Sequence, residues 1–325
     1  MKRMASPADN EYLPDEISRA VKKAVRLEWA TLGMLSVTVV LVFLVMGNSQ
    51  AMKTAWIEDM LSMVPPIAFL IGVRVTRKPA NAKHPFGYHR AIGIAHLVAG
   101  TALFVMGGYL IVDALIKLIT VEHPTIGGIN LFGHTIWLGW LMILVLLVTG
   151  IPPVILGRMK LKLAEPLHNK VLYADADMNK ADWMTSFAAI VGIAGIGLGL
   201  WWADAAAAIV IATSIVKDGA TNLSAAVSGL MDARPTTVDN KKPHPLISDA
   251  QEFLRNLDWV HAATVRLRDE GQVFQIEGFV IPASLELATP ERLEAAENAL
   301  LEQDWKIRDV VIAPVTHLPN VVESD

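Results

Sequence analysis

Long apolar stretches alternate with short polar ones over the first two thirds of the chain. Six stretches, roughly 28–47, 54–76, 91–117, 134–157, 171–200 and 203–230, approach or exceed the length a helix needs to cross a bilayer. A hydrocarbon core of about 30 Å takes about 20 residues at 1.5 Å each. The pattern therefore predicts six transmembrane helices, the last two joined by the tight turn Trp201-Trp202-Ala203-Asp204. After Met231-Asp232-Ala233-Arg234-Pro235 the periodicity changes. A helix over 246–257, strands over 260–268 and 272–281, a helix over 290–303 and a strand over 307–315 follow in the order αββαβ. Alternation in Val265-Arg266-Leu267-Arg268 and Phe274-Gln275-Ile276-Glu277 marks the strands, and Thr289-Pro290 opens the second helix with a capping oxygen and a pre-set φ. The expected fold is an α-helical membrane protein with a small cytoplasmic α+β domain. Its regions are an N-terminal segment over 1–27, a transport domain over 28–232, a linker over 233–245 and a soluble domain over 246–325.

Composition agrees: of 325 residues 53% are hydrophobic and only 18% charged, too apolar a balance for a soluble domain of this size. The chain has no cysteine, so any metal is held by oxygen, imidazole or thioether. The net charge of −4 says little about partners, and no nucleic-acid partner is expected. No cleavage site follows a short apolar run at the amino end, so no removable signal peptide is expected. Lys and Arg set the orientation. They cluster before the first stretch, between the second and third (Arg74, Arg77, Lys78, Lys83, Arg90) and between the fourth and fifth (Arg158, Lys160, Lys162, Lys170), whereas 118–157 holds none. Both termini are expected in the cytoplasm.

Charge inside the apolar stretches carries the chemistry. An acid at the centre of a membrane helix costs roughly 2.5–3.5 kcal/mol and needs a cation, a proton or water beside it. In Ala174-Asp175-Ala176-Asp177-Met178-Asn179-Lys180-Ala181-Asp182, a turn of roughly 100° per residue puts Asp175, Met178, Asn179 and Asp182 on one face, with Asp177 pointing away. That face reads as a cation site; the bland alternative for Asp175 and Asp177 is a helix start in headgroup water. In the second stretch Glu58, Asp59 and Ser62 precede Pro65-Pro66, which remove the N–H groups that the carbonyls of Leu61 and Ser62 would bond. This makes an oxygen-rich break, or simply a kink. His84 and His89 in the basic loop are a secondary cytoplasmic candidate, set against a positive-inside anchor. Asp113 and Lys117 are spaced to pair, and His96 reads as a packed imidazole. An acid pair without a metal triad or a Ser/His arrangement does not make a hydrolase, so no enzyme is expected.

The loop His84-Pro85-Phe86-Gly87-Tyr88-His89-Arg90, the fifth-span pattern Ala174-Asp175-Ala176 with Asn179-Lys180-Ala181-Asp182 and Thr185-Ser186, and the sixth span from Ala203-Asp204 to Leu230-Met231-Asp232 resemble the cation diffusion facilitator family. The resemblance covers about 25–325 and implies a homodimer that exports divalent metal from the cytoplasm in exchange for protons. It also implies a ferredoxin-like soluble domain and, here, a bacterial inner-membrane location. A four-ligand site in the family joins an acidic pair on the second span to a His/Asp-xxx-Asp pair on the fifth. Counting back from Pro79 and His84 puts Glu58 and Ser62 at the first pair; Met178 and Asp182 fall at the second. Ser62 and Met178 depart from the family's chemistry, and Asp59 and Asp175 stand in neighbouring turns as substitutes. Oxygen donors without imidazole move preference from Zn²⁺ towards Mn²⁺ or Fe²⁺. In the soluble domain Ala313 falls where the family has a histidine and only His261 is retained, so that domain is expected to be largely without metal. A membrane metal sensor or scaffold with the same fold and no turnover is the alternative.

Overall fold

The computed structural model describes residues 14–45, 50–121, 127–131 and 134–319. Helices α1 (Asp15–Val45), α2 (Gln50–Leu61), α3 (Val64–Thr76), α4 (Ala91–Ile119), α5 (Leu138–Ala164), α6 (Lys170–Gly197) and α7 (Ala203–Leu230) form a bundle. The end of the N-terminal segment and the first apolar stretch are one continuous helix, because no proline interrupts the chain after Pro14. Residues 1–13 of the N-terminal segment and the end of the first stretch lie outside the described residues.

The second stretch is two helices. Pro65 and Pro66 occupy the first turn of α3, where a missing N–H costs nothing, and the chain breaks at Ser62-Met63. By contrast Pro152 and Pro153 sit inside α5 without ending it. That helix begins at Leu138, after the antiparallel hairpin β1 (Gly128–Leu131) and β2 (His134–Trp137), and runs on to Ala164. Arg158, Lys160 and Lys162 thus belong to its last turns rather than to a loop.

Among the described residues three helical runs are long and apolar enough to cross a membrane: Trp56–Thr76, Ala91–Ile119 and Met142–Ala164. Helix α6 is interrupted by Lys170, Asp175, Asp177, Lys180 and Asp182 in its first half. Helices α4 and α7 pack backbone to backbone: a Cβ at Gly107 would lie 2.8 Å from the Val216 nitrogen, and one at Gly219 2.6 Å from Phe104 Cα. Small residues permit this approach, as the composition of α7 predicts.

The C-terminal part follows the expected order: α8 (Leu246–Arg255), β3 (Val260–Asp269), β4 (Phe274–Pro282), α9 (Pro290–Gln303) and β5 (Ile307–Pro314). Strand β4 is central, antiparallel to β3 with Leu267 opposite Ile276 and parallel to β5 with Gly278 opposite Ile312. Thr289 caps α9 by accepting from the Arg292 N–H. Leu254, Phe274, Ile276, Val280 and Leu300 fill the core between sheet and helices.

Charged contacts fasten bundle to sheet. Lys170, at the start of α6, donates to Asp269 Oδ2 at 2.9 Å, and His168 Nε2 lies 3.4 Å from the same oxygen. Arg90 pairs with Asp232, which Arg268 of β3 also reaches. The His168 ring meets His244 edge-on, and both rest on Phe274. Burial raises the Asp269 carboxyl, but the His168 hydrogen bond and the Lys170 charge outweigh it and hold it below the ordinary carboxylate range. Burial, then His168, push the His244 imidazole down to about 4, so its Nδ1 is free to accept from the Leu246 N–H.

Candidate functional site

The break between α2 and α3 turns Ser62 into the bundle. Its N–H still reaches the Glu58 carbonyl at 2.9 Å, while the buried side-chain hydroxyl leaves its own helix and donates to Asp182 Oδ1 on α6 at 2.6 Å. This contact bridges 120 positions of sequence. Asp182 in turn anchors its own helix: its carbonyl accepts from the hydroxyls of Thr185 at 3.0 Å and Ser186 at 2.9 Å.

Glu58 and Asp59, one turn before Ser62, are half-buried. The charge of Asp182 acts on Glu58, and that of Asp59 acts on both Glu58 and Asp182. Three carboxyls from two elements thus share one field, and the Ser62 hydroxyl is bonded to one of them. Such a group repels itself unless a proton or a cation enters. Lys117 and Asp113 of α4, paired as their spacing predicts, also act on Glu58.

The rest of the expected α6 face has other occupations. Asp175 Oδ2 takes the Lys160 ammonium at 2.6 Å, and the same ammonium lies 3.1 Å from Glu28 of α1. Asp175 is therefore committed to an internal cation two turns away from Asp182, about 10 Å along the helix. Asn179 bends its amide back to the Asp175 carbonyl at 2.8 Å, inside its own helix. Met178 is buried in an apolar cluster with Leu103, Met106, Leu110 and Ile215, against which Leu61 also packs. Asp177 does point elsewhere, accepting from Asn222 Nδ2 at 3.0 Å, and Asn222 in turn meets the buried His96 at 3.3 Å.

In the loop between α3 and α4 the His84 ring packs on Tyr88 at 4.4 Å, and its backbone pairs with Asn81. His89 follows one residue after Tyr88. In the sheet, His261 is exposed on β3 and Ala313 lies opposite Phe279. Among the described residues no three His, Asp or Glu side chains gather at metal-ligand spacing, in either part of the molecule.

The Glu28–Lys160–Asp175 triad is the feature that sequence reasoning missed. Its signal was present in three lone charges amid apolar neighbours, but Glu28 looked like a helix start and Lys160 like a loop residue.

A sequence profile for the cation efflux transmembrane domain matches residues 29–231, which contain the helix break, Asp182 and the triad apart from Glu28. Two manganese efflux system proteins of Bacillus subtilis strain 168 are similar. MneS is 27% identical over 173 residues, 52% of this chain and 54% of MneS. MneP is 26% identical over 197 residues, 58% of this chain and 62% of MneP, so the chain spans only part of each. The magnetosome protein MamB of Magnetospira sp. strain QH-2 is 24% identical over 269 residues, 82% of this chain and 85% of MamB. The chain belongs to the cation efflux family.

Proposed function

We propose that the protein exports divalent transition-metal cations from the cytoplasm in exchange for protons, taking Mn²⁺ or Fe²⁺ ahead of Zn²⁺. The contact of Ser62 with Asp182 is the observation that carries this reading: it joins the broken second span to α6 at a carboxylate that no lysine or arginine pairs with among the described contacts. Glu58, Asp59, Ser62 and Asp182 are the proposed metal donors, with Met178 one turn before Asp182 on the same helix. Asp175 and Asn179 drop out of the set, since one is held by Lys160 and the other by its own helix.

An oxygen-rich donor set suits Mn²⁺ and Fe²⁺, and the similarity to the manganese efflux system proteins MneS and MneP points the same way. Metal and proton compete for the same carboxyls, because burial favours the protonated form and an arriving cation favours the ionised one. Six crossings, cytoplasmic termini, a homodimer and an inner-membrane location complete the proposal. The basic clusters ahead of the first apolar stretch and between α3 and α4 support the orientation.

The test is flux in proteoliposomes loaded against a panel of Mn²⁺, Fe²⁺, Zn²⁺, Co²⁺, Ni²⁺ and Cd²⁺, with a lumenal pH dye. Metal uptake with counter-movement of protons is expected, lost in Asp182→Ala. Binding without flux would replace the exporter with a sensor or scaffold.

A further inference from the structure

Glu28, Lys160 and Asp175 come from α1, α5 and α6 and meet out of reach of water: their side chains are 0%, 0% and 1% exposed. One ammonium faces two carboxyl groups. If all three were ionised, a full negative charge would remain uncompensated in an apolar interior, where an unpaired ion costs several kcal/mol. Among the described residues no second Lys, Arg or His forms an ion pair with either carboxyl. Leu27, Leu163, Ala164, Leu172 and Ala174 beside the triad are apolar, and α3, which packs on α1 and α6, faces the same cluster with Ala68, Phe69 and Val73.

Hydrogen bonding gives a second, independent argument. Glu28 Oε2 and Asp175 Oδ2 lie 3.1 and 2.6 Å from the same Lys160 nitrogen, which sets the two carboxyls side by side. Yet Glu28 Oε1 and Asp175 Oδ1 are buried without a hydrogen-bond partner, while Glu28 Oε2 faces the Lys160 ammonium. As carboxylates both groups only accept, so they leave each other's oxygens orphaned. A single proton removes both defects. It makes Glu28 a donor towards Asp175, leaves Asp175 paired with Lys160, and brings the charge of the cluster to zero.

We infer that the triad is a proton-binding site, holding one proton between Glu28 and Asp175 beside the Lys160 ammonium and separate from the proposed metal donors. Its link to export runs along α6. Asp175 and Asp182 stand two turns apart on one face of α6, about 10 Å along its axis, so a cation arriving at Asp182 favours loss of the triad's proton. That link rests on the antiport reading, whereas the bound proton does not.

Infrared spectroscopy of the full chain in nanodiscs tests the site, because a protonated carboxyl has a C=O stretch that a carboxylate lacks. Near neutral pH the wild type is expected to show such a band that disappears in Glu28→Gln and persists in Asp182→Asn. A spectrum unchanged by Glu28→Gln overturns the proposal. Glutamine is nearly isosteric with the protonated acid, so this variant should melt at or above the wild-type temperature; a variant that cannot be reconstituted overturns it equally. Adding Mn²⁺ alone should move the titration of the band to lower pH. A band that is lost in Glu28→Gln but ignores Mn²⁺ keeps the proton site and overturns its link to export.

Discussion

Asp175 and Asp182 are the same residue type on the same face of one helix, two turns apart, and the protein treats them in opposite ways. Asp175 receives a lysine from a neighbouring helix and is sealed among apolar side chains. Asp182 receives only a serine hydroxyl and shares its surroundings with Glu58 and Asp59. The first arrangement satisfies the carboxylate from within; the second leaves it short of positive charge. A buried carboxylate with its own cation is a structural joint, and one without is a place for a cation from outside. Asp269 repeats the first arrangement at the junction with the sheet, again with a lysine from the start of α6.

The contrast breaks most visibly at Lys160. Lys160→Met leaves two buried carboxyls without their cation and should cost about 3–5 kcal/mol, read as a large fall in melting temperature in detergent. Adding Glu28→Gln and Asp175→Asn to it should recover much of that loss, since the charge is then removed together with its counter-charge. Asp182→Ala should do the reverse: a melting temperature near the wild type, but metal-driven flux reduced by more than the 10–100-fold that mutating a supporting residue around a metal typically costs. If Asp182→Ala unfolds the protein while Lys160→Met spares it, the two roles have been exchanged.

Acid sharpens the third case. The His244 imidazole is held down to about 4 in the fold against roughly 6.5 when free, so the unfolded chain binds the extra proton and stability falls as pH drops through that window. Asp269 is also held below its ordinary value, so its contribution is present above about pH 4 and is lost as pH falls further. Melting temperature against pH should show the two steps, with His244→Gln flattening the upper one and Asp269→Asn the lower. The smallest effect belongs to Ser62→Ala. Loss of one hydrogen bond at a partly exposed carboxylate should cost about 1 kcal/mol and change Mn²⁺ affinity by less than about tenfold, measured by calorimetry.

The chain's own pattern determined a good deal. Period-two alternation and the Thr289-Pro290 cap placed the strands and helices of the C-terminal sheet within a few positions, because strand and helix periods are local properties. The double proline announced the break before α3, and an i,i+4 spacing announced the Asp113–Lys117 pair. The partners of charges were another matter. That Lys160 leaves the basic group between α5 and α6 to meet Glu28 and Asp175, and that Ser62 finds Asp182 across 120 positions, depend on how three or four helices pack. Periodicity tells which face of a helix a side chain shares, but not what stands opposite. A charge in an apolar segment is resolved only by that opposite partner, so tertiary structure alone decided which of two equivalent aspartates is already neutralised and which still calls for a cation.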